Sequence, residues 1–452
     1  MRTLRLGTAP LAAAWLLAAS AAPAQNPPAA AKIDEYLSAW EKQGRFSGSV
    51  LVAKGGQILL SKGYGLANIE HDIPNKPNTK HRLGSITKQF TAVAILQLAE
   101  QGKLQLDDPV SKYLPDAPTA WAPITIHHLL THTSGLKNYT SLPDYFARMR
   151  ERSTPEQLIA RFKDKPLDFE PGSKYSYSNS GYVLLGYIIE RASGMKYADY
   201  LEKHIFAPAD MQDSGVDNDQ QILKNRATGY SVGANGKLAN AAWIDMTIPY
   251  AAGALYSTVE DLYRWDRALT GEKLLSAKSK ELMYTPFKDG YAYGWMVQQA
   301  GGRKMIGHGG GVNGFATMIA RYPEEDVCIV VLGNAERSPS GRLAADIAKI
   351  LFGGSVPLPQ ERKEISMTVE QLDRYVGKYD MGPLKFEIKR EGTNLIAYPS
   401  GQPPTRLAPM AEHRFFVTVV DAEFTFVMGD GGKAKELILH QGGRDMPAKR
   451  VE

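Results

Sequence analysis

One cysteine, Cys328, stands among 452 residues, and a lone thiol excludes internal disulfides and any multi-cysteine zinc site. Beyond residue 24 no apolar run approaches the roughly 20 residues that cross a bilayer, so no stable membrane insertion is expected. Charge of one sign is also scarce. The 53 basic and 48 acidic side chains leave +5, and without a Lys/Arg-rich run this excludes a nucleic-acid partner. No glycine run is followed by Gly-Lys-Ser/Thr, which argues against a phosphate-cradling loop. Internal repeats are absent. The remaining composition, 43% hydrophobic and 22% charged with 42 Gly and 27 Pro, is that of an ordinary globular chain with room for two or three domains.

Residues 1–24 read as a signal peptide. Arg2 and Arg5 precede an apolar run from Leu11 to Ala22, and Ala22-Pro23-Ala24 supplies the small residues that a signal peptidase requires before Gln25. The expectation is an exported protein, periplasmic or secreted and soluble after cleavage. Residues 25–32 follow as a Pro/Ala-rich leader with no pattern to bury. Ile33, Tyr36, Leu37 and Trp40 then repeat at helical spacing. Gly48 to Ala53 and Gln57 to Tyr64 read as a hairpin turned by Lys54-Gly55-Gly56. Helices are expected at Thr87–Gln101, Tyr182–Arg191, Thr258–Leu269 and Arg342–Leu351, and strands at Ala292–Gln298, Phe315–Arg321 and Val327–Leu332. The pattern is an antiparallel α/β (α+β) arrangement, its sheet built from both ends of residues 33–352 around an inserted helical region.

Residues 353–365 (GGSVPLPQ at their start) read as a linker. In residues 366–452, short strand candidates at Lys385–Arg390, Leu395–Tyr398, Arg414–Val420, Phe424–Met428 and Glu436–His440 predict a small antiparallel sheet or barrel.

Three segments carry chemistry. Gly84-Ser85-Ile86-Thr87-Lys88 puts a serine and a lysine on one face at the start of a helix. The positive end of that helix favours an alkoxide and an adjacent oxyanion, and the lysine can withdraw the serine proton or lower the pKa of another base. In Tyr177-Ser178-Asn179, alternate side chains of an extended loop point into one cleft. A tyrosine held near a cationic lysine can have its pKa lowered towards that of a general base, and Asn179 can bond both substrate and Lys88. In Gly307-His308-Gly309-Gly310-Gly311, the glycines let substrate lie against an edge strand. An N–H there can complete an oxyanion hole with that of Ser85, and His308 brings a polar or partly cationic group. His127, His128 and His132 lack carboxylates at metal-ligand spacing, so no metal is expected. Trp243, Tyr250, Tyr291 and Trp295 fit a cleft lining or a core equally well. Cys328, in an apolar strand, reads as an inert buried thiol.

In this order and at these separations, the three segments resemble the serine β-lactamase and penicillin-binding protein superfamily, above all its class C β-lactamase and D,D-carboxypeptidase branch with esterase and D-aminopeptidase relatives. Leu129-Leu130-Thr131-His132-Thr133-Ser134-Gly135-Leu136 and Pro171-Gly172 support the likeness, which runs from Ile33 to Leu351. The tail, with Tyr375-Val376-Gly377-Lys378-Tyr379, is similar to a small β-rich domain appended to such hydrolases. The resemblance implies a serine hydrolase without cofactor or metal, working through an acyl-enzyme at Ser85. Lys88 and Tyr177 would share proton transfer, with the principal base left open. Asn179, His308 and Gly310 would position a small-molecule or peptide substrate, and the N–H groups of Ser85 and Gly311 would hold the oxyanion. His308 stands where class C β-lactamases have lysine, a departure that favours D-amino-acid peptides or esters over β-lactams. Two alternatives remain: a class C-like β-lactamase, and a catalytically weak cell-wall binding or sensing protein using the same cleft.

Overall fold

The computed structural model describes residues 28–233, 237–359, 362–382, 384–417, 422–441 and 444–452; the expected signal peptide lies outside the described residues. The first element is a helix, α1 (Pro28–Lys42). It begins inside the stretch read as a leader, because Pro28 suits a first helical turn and Ala30 is already buried. Ile33, Tyr36, Leu37 and Trp40 are all buried, as their spacing requires.

Strands β1 (Gly48–Lys54) and β2 (Gln57–Tyr64) form the opening hairpin. Gly55 and Gly56, at φ +58° and +74°, make its two-residue turn. Helices α2 (Thr87–Glu100), α3 (Asn179–Ser193) and α4 (Val259–Thr270) follow, with shorter helical pieces between. The chain then returns to the sheet with β3 (Met296–Ala300), β4 (Arg303–Val312), β5 (Phe315–Tyr322) and β6 (Val327–Gly333), and α5 (Ser340–Leu351) follows the last strand. All six strands are antiparallel in the order β3-β4-β5-β6-β1-β2.

The sheet is covered on both faces, which explains why β1 and β6 read as continuous apolar runs. Val50, Val52, Ile329 and Val331 pack with Trp40, Leu343 and Ile347 of α1 and α5. The alternate residues, Leu51, Ala53, Cys328, Val330 and Leu332, join the core that contains α2, α3 and α4. Phe90 stacks on Trp265 there at 4.1 Å between ring centres. Helix α2 is buried all round from Thr87 to Leu98, the signature of a helix enclosed by its neighbours. Its first turn is therefore the floor of any cleft that opens on it.

Two differences from the sequence pattern concern this sheet. Strand β3 starts at Met296 rather than Ala292, because Ala292 N–H bonds Trp295 O across a tight turn. Strand β4 had no expected strand of its own, since Gly307, Gly309, Gly310 and Gly311 erase the side-chain alternation by which strands are read. Its register matters for the site. Strand β3 pairs only with Arg303–Gly307 of β4, whereas β5 pairs along Ile306–Val312. The His308–Val312 half of β4 thus keeps one backbone edge outside the sheet's ladder.

The C-terminal region is a separate closed barrel of eight antiparallel strands. Gly377–Asp380 closes it by pairing with Arg444–Arg450, Tyr379 opposite Arg450. Tyr375, Tyr379, Phe386, Phe415, Phe424 and Phe426 fill its interior, and closure removes the exposed edges that a small open sheet would carry. Three strands escape the sequence pattern. Thr405–Ala411 and Arg444–Arg450 contain Pro409 and Pro447, which lack the N–H a ladder uses; the register shifts between Pro409 and Ala411. Gly377–Asp380 is only four residues long.

Candidate active site

Ser85 lies in a single 3-10 turn, Gly84–Ile86, that leads into the buried helix α2. Gly84 has φ +55°, a left-handed conformation that L residues with a side chain rarely adopt. A Cβ there would also lie 2.6 Å from the nitrogen of Gly311 on β4. The turn can therefore approach the strand this closely only with glycine at 84, while a Cβ on Gly311 would meet nothing; the approach brings the backbone N–H groups of Ser85 and Gly311 onto adjoining segments. Gly310 has a packing reason of its own. A Cβ on it would sit 1.9 Å from Leu83 O, the carbonyl that also accepts from Thr317 Oγ1 at 2.7 Å.

Gly84→Ala is accordingly expected to destabilise the fold by about 2 kcal/mol, the order of an L residue forced into the left-handed region. Activity should fall at least about tenfold further than the unfolded fraction explains, because β4 must shift away from Ser85. Thermal unfolding and turnover measured on one preparation check both halves.

Lys88 is fully buried. Its Nζ lies 2.9 Å from Asn179 Oδ1, 2.8 Å from Ala252 O and 3.0 Å from Ser85 Oγ. The first two atoms are carbonyl oxygens, which only accept. They take two N–H bonds of a neutral amine and so direct its lone pair at the third neighbour, the Ser85 hydroxyl. Both carbonyls are held in place. Asn179 Nδ2 donates to Thr140 Oγ1 at 3.1 Å, and Asn179 N–H donates to Asn138 Oδ1 at 3.1 Å. The segment bearing Ala252 is tied to α2 by Thr91 Oγ1 donating to Ala251 O and Leu255 N–H donating to Thr87 Oγ1. Burial holds Lys88 well below the ordinary lysine value.

The Tyr177 hydroxyl donates to Ser85 Oγ at 2.8 Å, and its ring lies 4.8 Å from Lys88 Nζ. A lowered tyrosine pKa was the expectation here, and the structure gives the opposite direction. Burial pushes the phenol above its ordinary value, and the Ser85 hydrogen bond offsets only part of that. Desolvation of the phenolate outweighs proximity to a lysine that is itself driven towards neutrality.

His308 is buried as well. Its Nδ1 lies 2.6 Å from Gly309 O, and its Nε2 lies 3.0 Å from the hydroxyl of buried Tyr291. A carbonyl can only accept, so Nδ1 carries the proton and Nε2 accepts from Tyr291. Burial pushes His308 down to about 4, and the bond to Gly309 O offsets only part of that. The histidine expected to be partly cationic is neutral at pH 7, because the pocket denies it solvent. Its ring centre is 6.2 Å from that of Tyr177.

Ser85, Lys88, Tyr177 and Asn179 thus form one hydrogen-bonded group, with His308, Gly310 and Gly311 on the strand beside it. Sequence reasoning missed Ala252 O, Asn138 and Thr140. A backbone carbonyl leaves no mark in a sequence, and the two side chains reach Ser85 only through Asn179 and Lys88. Of the aromatic candidates, Tyr291 belongs to this group and Trp295 is core. Trp243 is exposed, and Tyr250 lines a cavity of about 490 Å³ with Glu190, Asp217 and Asp245. The three histidines part company: His127 bonds Tyr293, His128 accepts from Thr125 N–H, and His132 is enclosed beside Tyr177. Among the described residues no helix is long and apolar enough to cross a membrane.

Residues 30–352 match the family model described as beta-lactamase. Penicillin-binding protein 4* of Bacillus subtilis (strain 168) is 32% identical over 437 residues, covering 90% of this chain and 96% of its own. Among solved structures, the octameric penicillin-binding protein homologue from Pyrococcus abyssi superposes with a TM-score of 0.67 at 29% identity, over 93% of this chain and 99% of that one. A D-stereospecific amidohydrolase from Streptomyces sp. gives 0.60 at 27% identity, over 71% and 97%. With a serine, a buried lysine and a tyrosine joined at the mouth of a sheet edge, and with these matches across both parts of its length, the chain belongs to the beta-lactamase family and is a serine hydrolase.

Proposed function

We propose that the protein is an exported hydrolase that cleaves D-amino-acid peptides, amides or esters through an acyl-enzyme at Ser85, in preference to β-lactams. The observation that carries this reading is Lys88, whose two fixed carbonyl partners leave its lone pair facing Ser85. The Ser85 proton passes to Lys88 Nζ as Oγ bonds the substrate carbonyl carbon. The oxyanion so formed is held by the N–H groups of Ser85 and Gly311. The carbonyl reforms as the amine or alcohol leaves, taking a proton delivered through Lys88 and Tyr177. Water then enters by the same route, its proton going to Lys88, and the acid is released as Ser85 is restored. Tyr177, with its raised pKa, stays protonated and relays rather than abstracts. Asn179 orients both Lys88 and the substrate, and the free half of β4 pairs with an extended substrate.

Substrate preference follows from His308. A neutral imidazole engaged on both nitrogens offers no fixed charge for the carboxylate that β-lactams carry, so an ester, an amide or a peptide without a free carboxylate at that place suits the cleft. The D-stereospecific amidohydrolase among the structural neighbours supports the same class. A panel of D-alanine amide, a D-Ala-D-Ala peptide, p-nitrophenyl acetate and a chromogenic cephalosporin tests it. The best non-lactam substrate should exceed the cephalosporin by at least about 100-fold in kcat/KM, near 2.7 kcal/mol of transition-state discrimination. Cephalosporin turnover equal to or above the others contradicts the preference.

A further inference from the structure

The helix Ile126–Leu130 ends in an arrangement that ordinarily takes glycine. His132 N–H reaches back to Leu129 O at 3.4 Å and Thr133 N–H to His128 O at 2.9 Å, the two bonds of a Schellman cap, and His132 occupies its left-handed position at φ +58°. A non-glycine residue in that region is strained by on the order of 1–2 kcal/mol. Its side chain gives the cap nothing. It is fully enclosed, and it turns to the loop that carries Tyr177. His132 O accepts from Ser176 N–H at 2.9 Å, and His132 Nδ1 accepts from Ser178 N–H at 3.2 Å. The imidazole lies 4.2 Å from the Tyr177 ring and 4.5 Å from that of Tyr291, centre to centre. One residue therefore holds the backbone on both sides of Tyr177 and packs on its ring.

We propose that His132 is a positioning residue that acts through Tyr177, holding the phenol on Ser85 Oγ, and that its Nδ1 acceptor is the atom that matters. This rests on the hydrolase reading above. The imidazole does not touch Ser85, exchanges no proton with substrate and binds no metal in this role; it accepts one backbone hydrogen bond that sets where Tyr177 points.

The test is a double-mutant cycle read with p-nitrophenyl acetate. His132→Leu is expected to lower kcat about 30-fold with KM changed less than about twofold. His132→Asn places Oδ1 at the same bond distance from the backbone as Nδ1 and tolerates the left-handed conformation, so it should recover kcat to within about threefold of the parent. In a Tyr177→Phe background the leucine substitution should cost less than about twofold, since the group it positions is gone. Equal losses in both backgrounds, or an asparagine variant as impaired as leucine, overturn the proposal. Should the leucine variant fail to fold, His132→Gln, whose amide reaches past the Ser178 N–H, replaces it in the cycle. Ser85→Ala is measured alongside. Turnover that survives it overturns the acyl-enzyme reading, whereas an additive cycle with Ser85→Ala inactive overturns only the role given to His132.

Discussion

Ser85→Ala is expected to lower kcat/KM on the order of 10⁵-fold, a loss near 7 kcal/mol of transition-state stabilisation. No other described hydroxyl stands against both the Lys88 amine and the Tyr177 phenol, so nothing nearby can take over the attack. The residual rate comes from substrate held against β4 and Asn179 with water in place of the nucleophile. Stability should change by less than about 1 kcal/mol, because Ser85 is only half-buried and solvent can replace the lost hydrogen bonds. Circular dichroism melting beside steady-state kinetics separates the two quantities. A variant that melts with the parent and retains more than a hundredth of its activity would remove the serine from the reaction.

Lys88→Met carries the second largest effect, a fall of about 10³-fold in kcat/KM. Methionine, apolar and one heavy atom shorter, fits the buried space of the lysine but cannot accept the serine proton. Removing the amine leaves Asn179 Oδ1 and Ala252 O without their partner, yet it also relieves the desolvation that depresses Lys88, so folding should be little changed. The pH profile decides between bases. Only the unprotonated amine accepts a proton, and burial lowers its pKa. Activity should therefore rise with pH along a limb lying well below the ordinary lysine value, and the methionine variant should lose that limb. Were the Tyr177 phenolate the base, its raised pKa would place the limb above pH 10, and neutral solutions would be nearly inactive.

The candidate site was legible in the sequence as three short segments, because each has a distinctive local composition: Ser85 and Lys88 one helical turn apart, Tyr177 and Asn179 two residues apart, and a glycine run after His308. Their union was not a local property. Residues 85, 177 and 308 meet because α2 is buried all round and β4 sits against its first turn, and both facts follow from packing. Charge states were the least legible feature. From sequence, Tyr177 beside a lysine should lose its proton more readily and His308 should be partly charged. Burial reverses the first and neutralises the second, and no residue type records how deeply it will be enclosed. Strands β1 and β6 were readable as apolar runs and β2 and β5 as strand-like segments, whereas β4 was hidden by its own glycines and two barrel strands by Pro409 and Pro447. In the sequence His132 stood out only as one of three nearby histidines and as part of a matching segment; its left-handed backbone and its grip on the Tyr177 loop appear once the chain is folded.

The central claim is that Ser85 becomes acylated. Intact protein treated with a fluorophosphonate, digested and mapped by mass spectrometry, tests it most directly. One adduct per chain on the peptide bearing Ser85, absent from Ser85→Ala and slowed in Lys88→Met, is the predicted result. An adduct on another residue, or hydrolysis of substrate continuing undiminished after Ser85 is fully modified, would contradict it.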